Sequence, residues 1–107
     1  MLVSFGKKTV TTAGTIVQVT TTPTNLNGLV IQALAANTGQ IYVGLAGLVK
    51  ATLVNCLYVI GKPPTAFGEL PRYIVQSGVS VAPVDLSVIW LDADVSGEGV
   101  LISYLVT

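Results

Sequence analysis

The sequence predicts an all-β chain, an antiparallel β-sandwich of jelly-roll-like form with about eight short strands, and three observations carry that expectation. Apolar residues alternate at period two in segment after segment. Clusters of Gly, Pro, Asn, Asp and Ser punctuate those segments at short intervals. No stretch holds a 3.6-residue periodicity long enough for a stable helix. A chain of 107 residues without a fixed internal repeat, a low-complexity linker or a charge block reads as one domain, 1–107.

Residues 8–12 and 15–21 are rich in Thr and Val and flank Ala13-Gly14, which predicts a tight hairpin. Residues 22–28, TPTNLNG, collect turn formers and predict a surface loop. Residues 29–45, LVIQALAANTGQIYVGL, then place two apolar arms around Asn37-Thr38-Gly39. The expectation is a second β-hairpin, with Gly39 at positive φ in a three-residue loop and Asn37 bonding its own backbone. Leu, Gln and Ala in the first arm are good helix formers, but so short a helix is marginal without caps.

A turn is expected at residues 45–48, followed by a strand over 51–60. That strand shows little alternation, as where both faces are covered, and reads as buried or interfacial. The run 41–60 approaches the length of a membrane span in a chain of mean hydropathy +0.76. Lys50 at its midpoint, Asn55, the glycines Gly44 and Gly47 and the β-branched bias favour strand, turn and strand instead.

Residues 61–71 form the longest irregular stretch. Prolines 63, 64 and 71 limit its freedom, while Phe67 and Leu70 give it apolar tips. It reads either as a contact loop, with Lys62, Pro63, Pro64, Phe67 and Leu70 as contact residues, or as a loop folded back on its own core. Gly61-Lys62 does not make a phosphate loop, because no glycine stands five residues earlier and Pro63 occupies the Ser/Thr position. Short strands follow at 72–76 and 79–81 around a Ser77-Gly78 turn. A strand at 86–93 is apolar on both faces, with Trp90 as a core or interface anchor in preference to a sugar platform. The last strand, 100–106, sets Val100, Ile102, Tyr104 and Val106 on one face and Leu101, Ser103 and Leu105 on the other. Leu101 and Leu105 join the candidate interface residues.

Composition narrows the function. The chain is 51% hydrophobic and 9% charged, against roughly 25% charged in an average protein. Some of its apolar surface is therefore expected to meet a partner. Five basic and five acidic residues cancel, and the pI near 6.0 gives no electrostatic reason for a nucleic acid or an acidic membrane as partner. There is no His, so the usual general base, the commonest metal ligand and the activator of a Ser or Cys nucleophile are absent from the sequence. Cys56 is the one cysteine and reads as a small packing residue. The start MLVSFGKKTV lacks a continuous apolar core ahead of its lysines, and no signal peptide is expected.

The acidic cluster Asp92, Asp94 and Glu98 partly matches a calcium loop, with Ser96 and Gly97 in register. Ser103 stands where the bidentate Glu belongs, and strand patterns flank both sides. A solvated loop between strands is the expectation, with no metal and no cofactor. Nothing places Glu69 or Asp85 to complete a glycosidase pair, and no catalytic constellation emerges.

The segment VIQALAANTGQIYVG and the ending VDLSVIWLDADVSGEGVLISYL together resemble small virion proteins of tailed bacteriophages. The features that match best are Asn37-Thr38-Gly39 before Ile41-Tyr42-Val43-Gly44, then Asp85-Leu86-Ser87 leading into an apolar strand, and Gly97-Glu98-Gly99-Val100 opening the last one. The resemblance covers about a third of the chain, and residues 53–78 are longer and richer in proline than its pattern. It implies a non-enzymatic structural component of the virion. The component it implies is a capsid decoration or cement protein, or a head or tail appendage, with its own copies in a trimer and the major capsid protein as partners. Low charge and strands apolar on both faces agree with an assembly subunit. The rival expectations are a carbohydrate-binding β-sandwich module using Trp90, Tyr42 or Tyr73, and a small membrane protein.

Overall fold

The structure, a computed structural model, describes residues 2–23, 25–26, 28–61, 72–76 and 84–105. In chain order the strands are β1 (Leu2–Thr9), β2 (Val17–Gln18), β3 (Asn25–Leu26), β4 (Gly28–Ala33), β5 (Ile41–Val49), β6 (Val54–Ile60), β7 (Arg72–Gln76), β8 (Val84–Asp85), β9 (Trp90–Ala93) and β10 (Gly99–Leu105). Eight of them form two four-stranded antiparallel sheets, β1-β10-β4-β7 and β2-β9-β5-β6, and β3 pairs with β8 in a short ribbon.

The pairing follows one rule. β1 lies beside β10, β2 beside β9, β3 beside β8, β4 beside β7 and β5 beside β6. The chain is thus one long antiparallel hairpin whose far end is β5–β6, rolled up so that β10 also pairs with β4 and β9 with β5. That wrapping is the jelly roll, and it is the fold the sequence predicts.

Period two decides which side chains fill the space between the sheets. From one sheet come Leu29, Ile31 and Ala33 on β4 and Val100 and Ile102 on β10; from the other come Ile41 and Val43 on β5 and Leu91 and Ala93 on β9. All are fully or almost fully buried, while Val30, Gln32 and Leu101 between them point outward and keep partial exposure. Complete burial of a large aliphatic side chain contributes about 1.5–3 kcal/mol, so these positions hold the two sheets together.

Two expected hairpins are corrected. Residues 29–45 form strands in both arms, but β4 and β5 lie in different sheets, and residues 34–40 carry the chain across the sandwich. Both arms supply core residues, so pairing them side by side would leave one of the two sheets without its inner face. Gly39 accordingly does not need positive φ. It is glycine because a Cβ there would sit 2.9 Å from Asp94 Cβ and 3.2 Å from Val95 Cγ2. Nor do the segments on either side of Ala13-Gly14 pair with each other, since β1 joins β10 and β2 joins β9.

The local hairpin is β5–β6, turning at residues 50–53 and not at 45–48. β7 coincides with the expected strand at 72–76, and β10 with the expected last strand. The expected strand at 86–93 opens instead as a 3-10 turn at Leu86–Val88. Asp85 caps it, its Oδ1 accepting from Ser87 N at 2.9 Å and Ser87 Oγ at 2.8 Å. The expected Ser77-Gly78 turn and the strand at 79–81 lie outside the described residues. No helix among the described residues is long and apolar enough to cross a membrane.

Candidate functional site

At one end of the sandwich three connections meet, and the acidic residues of the calcium-like sequence hold them together. Residues 94–98 join β9 to β10 across the sheets. Glu98 accepts from Thr38 N at 2.6 Å, Thr38 Oγ1 at 3.0 Å and Gly39 N at 2.9 Å. Asp94 accepts from Gln40 N at 3.3 Å and from the Tyr42 hydroxyl at 3.0 Å. Buried Asp92 accepts from Gly14 N at 2.8 Å and from its own neighbour Ala93 N at 2.7 Å. The side chain of Asn37, also buried, donates to Gly99 O at 2.7 Å and accepts from Gly99 N at 3.3 Å.

These carboxylates do the work of turn caps between segments remote in sequence. Glu98 feels desolvation, which alone would raise its pKa. The hydrogen bonds from Gly39 and Thr38 outweigh it and hold the carboxyl below its ordinary value. Burial, followed by the bond to Asp94 and the charges of Asp94 and Asp92, pushes the Tyr42 hydroxyl up, so it stays protonated and donates. No group of three or more His, Cys, Asp or Glu among the described residues is arranged to hold a metal ion.

The other feature is the β5–β6 hairpin. The two strands pair regularly from Ile41↔Ile60 to Val43↔Tyr58, then the ladder breaks between Val43 and Gly44 and again between Gly44 and Val49. Leu57 is an extra residue on β6, and residues 45–48 loop out of β5. Gly44 permits the close approach, since a Cβ there would run into Asn55 O and meet Leu48 Cδ1 at 3.0 Å. The Asn55 side chain ties the arms together by donating to Ala46 O at 3.1 Å.

What this irregular hairpin presents to its surroundings is apolar. Leu45, Val49, Leu53, Val54, Leu57 and Tyr58 are all exposed, whereas Leu48 turns inward and Ile60 ends the strand in the core. The hairpin's one charged residue, Lys50, folds back onto the body, donating to Ala93 O at 2.9 Å with its Nζ 3.9 Å from Asp94 Oδ1. A cavity of 290 Å³ opens at its base between Gly14, Leu48, Lys50 and Asp92.

Backbone strain concentrates in the same place. The two non-glycine residues at positive φ among the described residues are Leu53 (φ 60°) and Asn55 (φ 57°). Asn tolerates that region, but for Leu it costs on the order of 1 kcal/mol. Leu53 is 51% exposed and recovers little of this by packing within the chain.

The expected interface residues fall in three groups. Leu101 is 44% exposed on the outer face of β10. Trp90 is half-buried, opposite Gln18 of β2 and Gly44 of β5. Lys62, Pro63, Pro64, Phe67 and Leu70 lie outside the described residues, as does the side chain of Leu105. The strand at 51–60, expected to be buried or interfacial, is β6 over residues 54–60 and stands at the end of its sheet among the described residues, most of its side chains exposed. Its missing alternation was the signal for the apolar hairpin surface. Cys56 sits there half-buried, its Sγ 3.6 Å from Val43 O and 3.5 Å from Tyr58 O.

Compared with protein-family models, with curated proteins and with solved structures, the chain matches none.

Proposed function

We propose that this chain is a non-enzymatic structural protein of a tailed-phage virion, a capsid decoration or cement protein that binds the outer shell as a homotrimer and stabilises the head. The observation that carries the reading is an exposed apolar hairpin on a jelly roll, its one charged residue, Lys50, folded back onto the body. A protein that stays a monomer gains nothing from six large apolar side chains on one projection, while an assembly subunit buries them. Covering about 1,000 Å² of mostly apolar area between subunits contributes on the order of 10 to 20 kcal/mol before association costs. The resemblance of residues 29–45 and 84–105 to small phage virion proteins supplies the setting. Weak contacts to the shell, through the segment from Pro63 to Pro71 or the N-terminal segment, would be repeated around the trimer and add up by avidity.

A sugar-binding module is the less supported use of the same fold. Trp90 is half-buried, and Tyr42 is buried with its hydroxyl 3.0 Å from Asp94 Oδ1 and 3.2 Å from Gln40 Oε1, so neither offers a stacking face. The side chain of Tyr73 lies outside the described residues.

The test is to add the purified protein to expanded heads that lack it and follow the temperature at which the heads disrupt. A rise that saturates with added protein is expected. Heads that neither bind the protein nor gain stability, together with binding to a glycan or a tail component, would replace this reading with the appendage or lectin one.

A further inference from the structure

We propose that the β5–β6 hairpin is the surface through which copies of this chain bind one another, with Leu53 as its anchor. The proposal rests on the reading of the protein as an assembly subunit and names the occupant of its apolar surface.

Leu53 carries the argument. Its backbone sits at φ 60°, where Gly or Asn would relieve the strain, yet the residue is a Leu whose side chain is half in solvent. Folding of one chain therefore uses only about half of the apolar surface that Leu offers at this position. A contact outside the chain would use the rest, because an aliphatic side chain at the tip of a hairpin is the kind of anchor that fills a pocket in a partner.

Charge selects a second copy as that partner. A surface whose charge is of one sign repels its own copy, so self-association needs that charge to be withdrawn. The hairpin meets this condition, since Lys50 is turned back to Ala93 O and Asp94. Area agrees as well. Six large apolar side chains at about half exposure present on the order of 500 Å² per chain, so two copies that covered all of it would bury at most about 1,000 Å², the threshold of a specific interface. The contact is made by side chains, because the Leu57 bulge and the left-handed residues Leu53 and Asn55 prevent a flat edge from adding a strand.

The experiment compares the full-length protein with Leu53→Gly and Leu53→Asn by light scattering over a dilution series, and by thermal melting. The wild type should form an oligomer at micromolar concentration. Both variants should dissociate at concentrations at least tenfold higher, and as monomers they should still melt cooperatively. Variants that keep the wild-type mass on dilution would overturn the proposal, as would a wild type that is monomeric. Loss of the cooperative melt in both variants would overturn it too, by showing that the fold itself needs Leu53. Variants that stay oligomeric but no longer bind heads would assign the hairpin to the shell and not to another copy. If the variants dissociate as expected while the wild-type oligomer ignores heads, the self-association stands and the capsid reading falls.

Discussion

Glu98 shows how single residues in this chain act at a distance. Its carboxylate is fixed by two backbone N–H groups and a hydroxyl from residues 38 and 39, about sixty positions earlier. Desolvation opposes ionisation, but those donors prevail and keep its folded pKa below the unfolded one. Ionised Glu98 therefore contributes stability that is present above the unfolded pKa and is lost as the pH falls through the lower folded value. The Glu98→Gln variant should be less stable by about 1 kcal/mol at neutral pH, since the carboxylate is partly exposed and its bonds are screened. Its melting temperature should also fall less steeply on acidification than that of the wild type. Melts followed by circular dichroism from neutral pH to about pH 3 would check both points, and parallel acid limbs would show that another group governs them.

Several strands were legible because alternation is local, whereas β1 begins six residues before the first expected segment and β3 lies in the expected loop 22–28. Residues such as Leu29, Ile31, Val100 and Ile102 declare their inner face in the sequence, and β7 and β10 fall where periodicity and turn signals place them. Which strand lies beside which was not legible in the same way. Asn37-Thr38-Gly39 has the chemistry of a hairpin loop, but its polar groups are met by Gly99 and Glu98, and nothing within residues 29–45 announces those partners. The same limit applies to the apolar surface. The missing alternation at 51–60 indicated covering on both faces, but whether the cover comes from the same chain depends on β6 being an edge strand. Gly39 tests the corner as an element. A Cβ there meets Asp94 Cβ at 2.9 Å, both belonging to connections that cross between the sheets, so one connection must shift. Gly39→Ala should cost about 1–3 kcal/mol, seen as a fall of several degrees in melting temperature. An unchanged melt would mean that the two connections are not packed against each other.

On the scale of the whole molecule, the unusual quantity is how much of the chain is apolar for its size. A jelly roll of 107 residues has room for one thin core between two four-stranded sheets, and the residues that fill it do not include the exposed side chains of β5–β6. That surplus, with Lys50 folded away and Leu53 held in a strained conformation, is what an assembly subunit would carry. The corner held by Asn37, Asp92, Asp94 and Glu98 ties the connections at one end of the sandwich together, and Lys50 bonds the hairpin to Ala93 O beside it. The most direct measurement is electron microscopy of heads from a phage that carries this chain, with and without the protein bound. Added density is expected on the outer shell at local threefold positions, in units of three times the 11.1 kDa chain, with the β5–β6 hairpins turned toward one another. Density confined to the tail or to a single vertex, or heads identical in the two samples, would contradict the account.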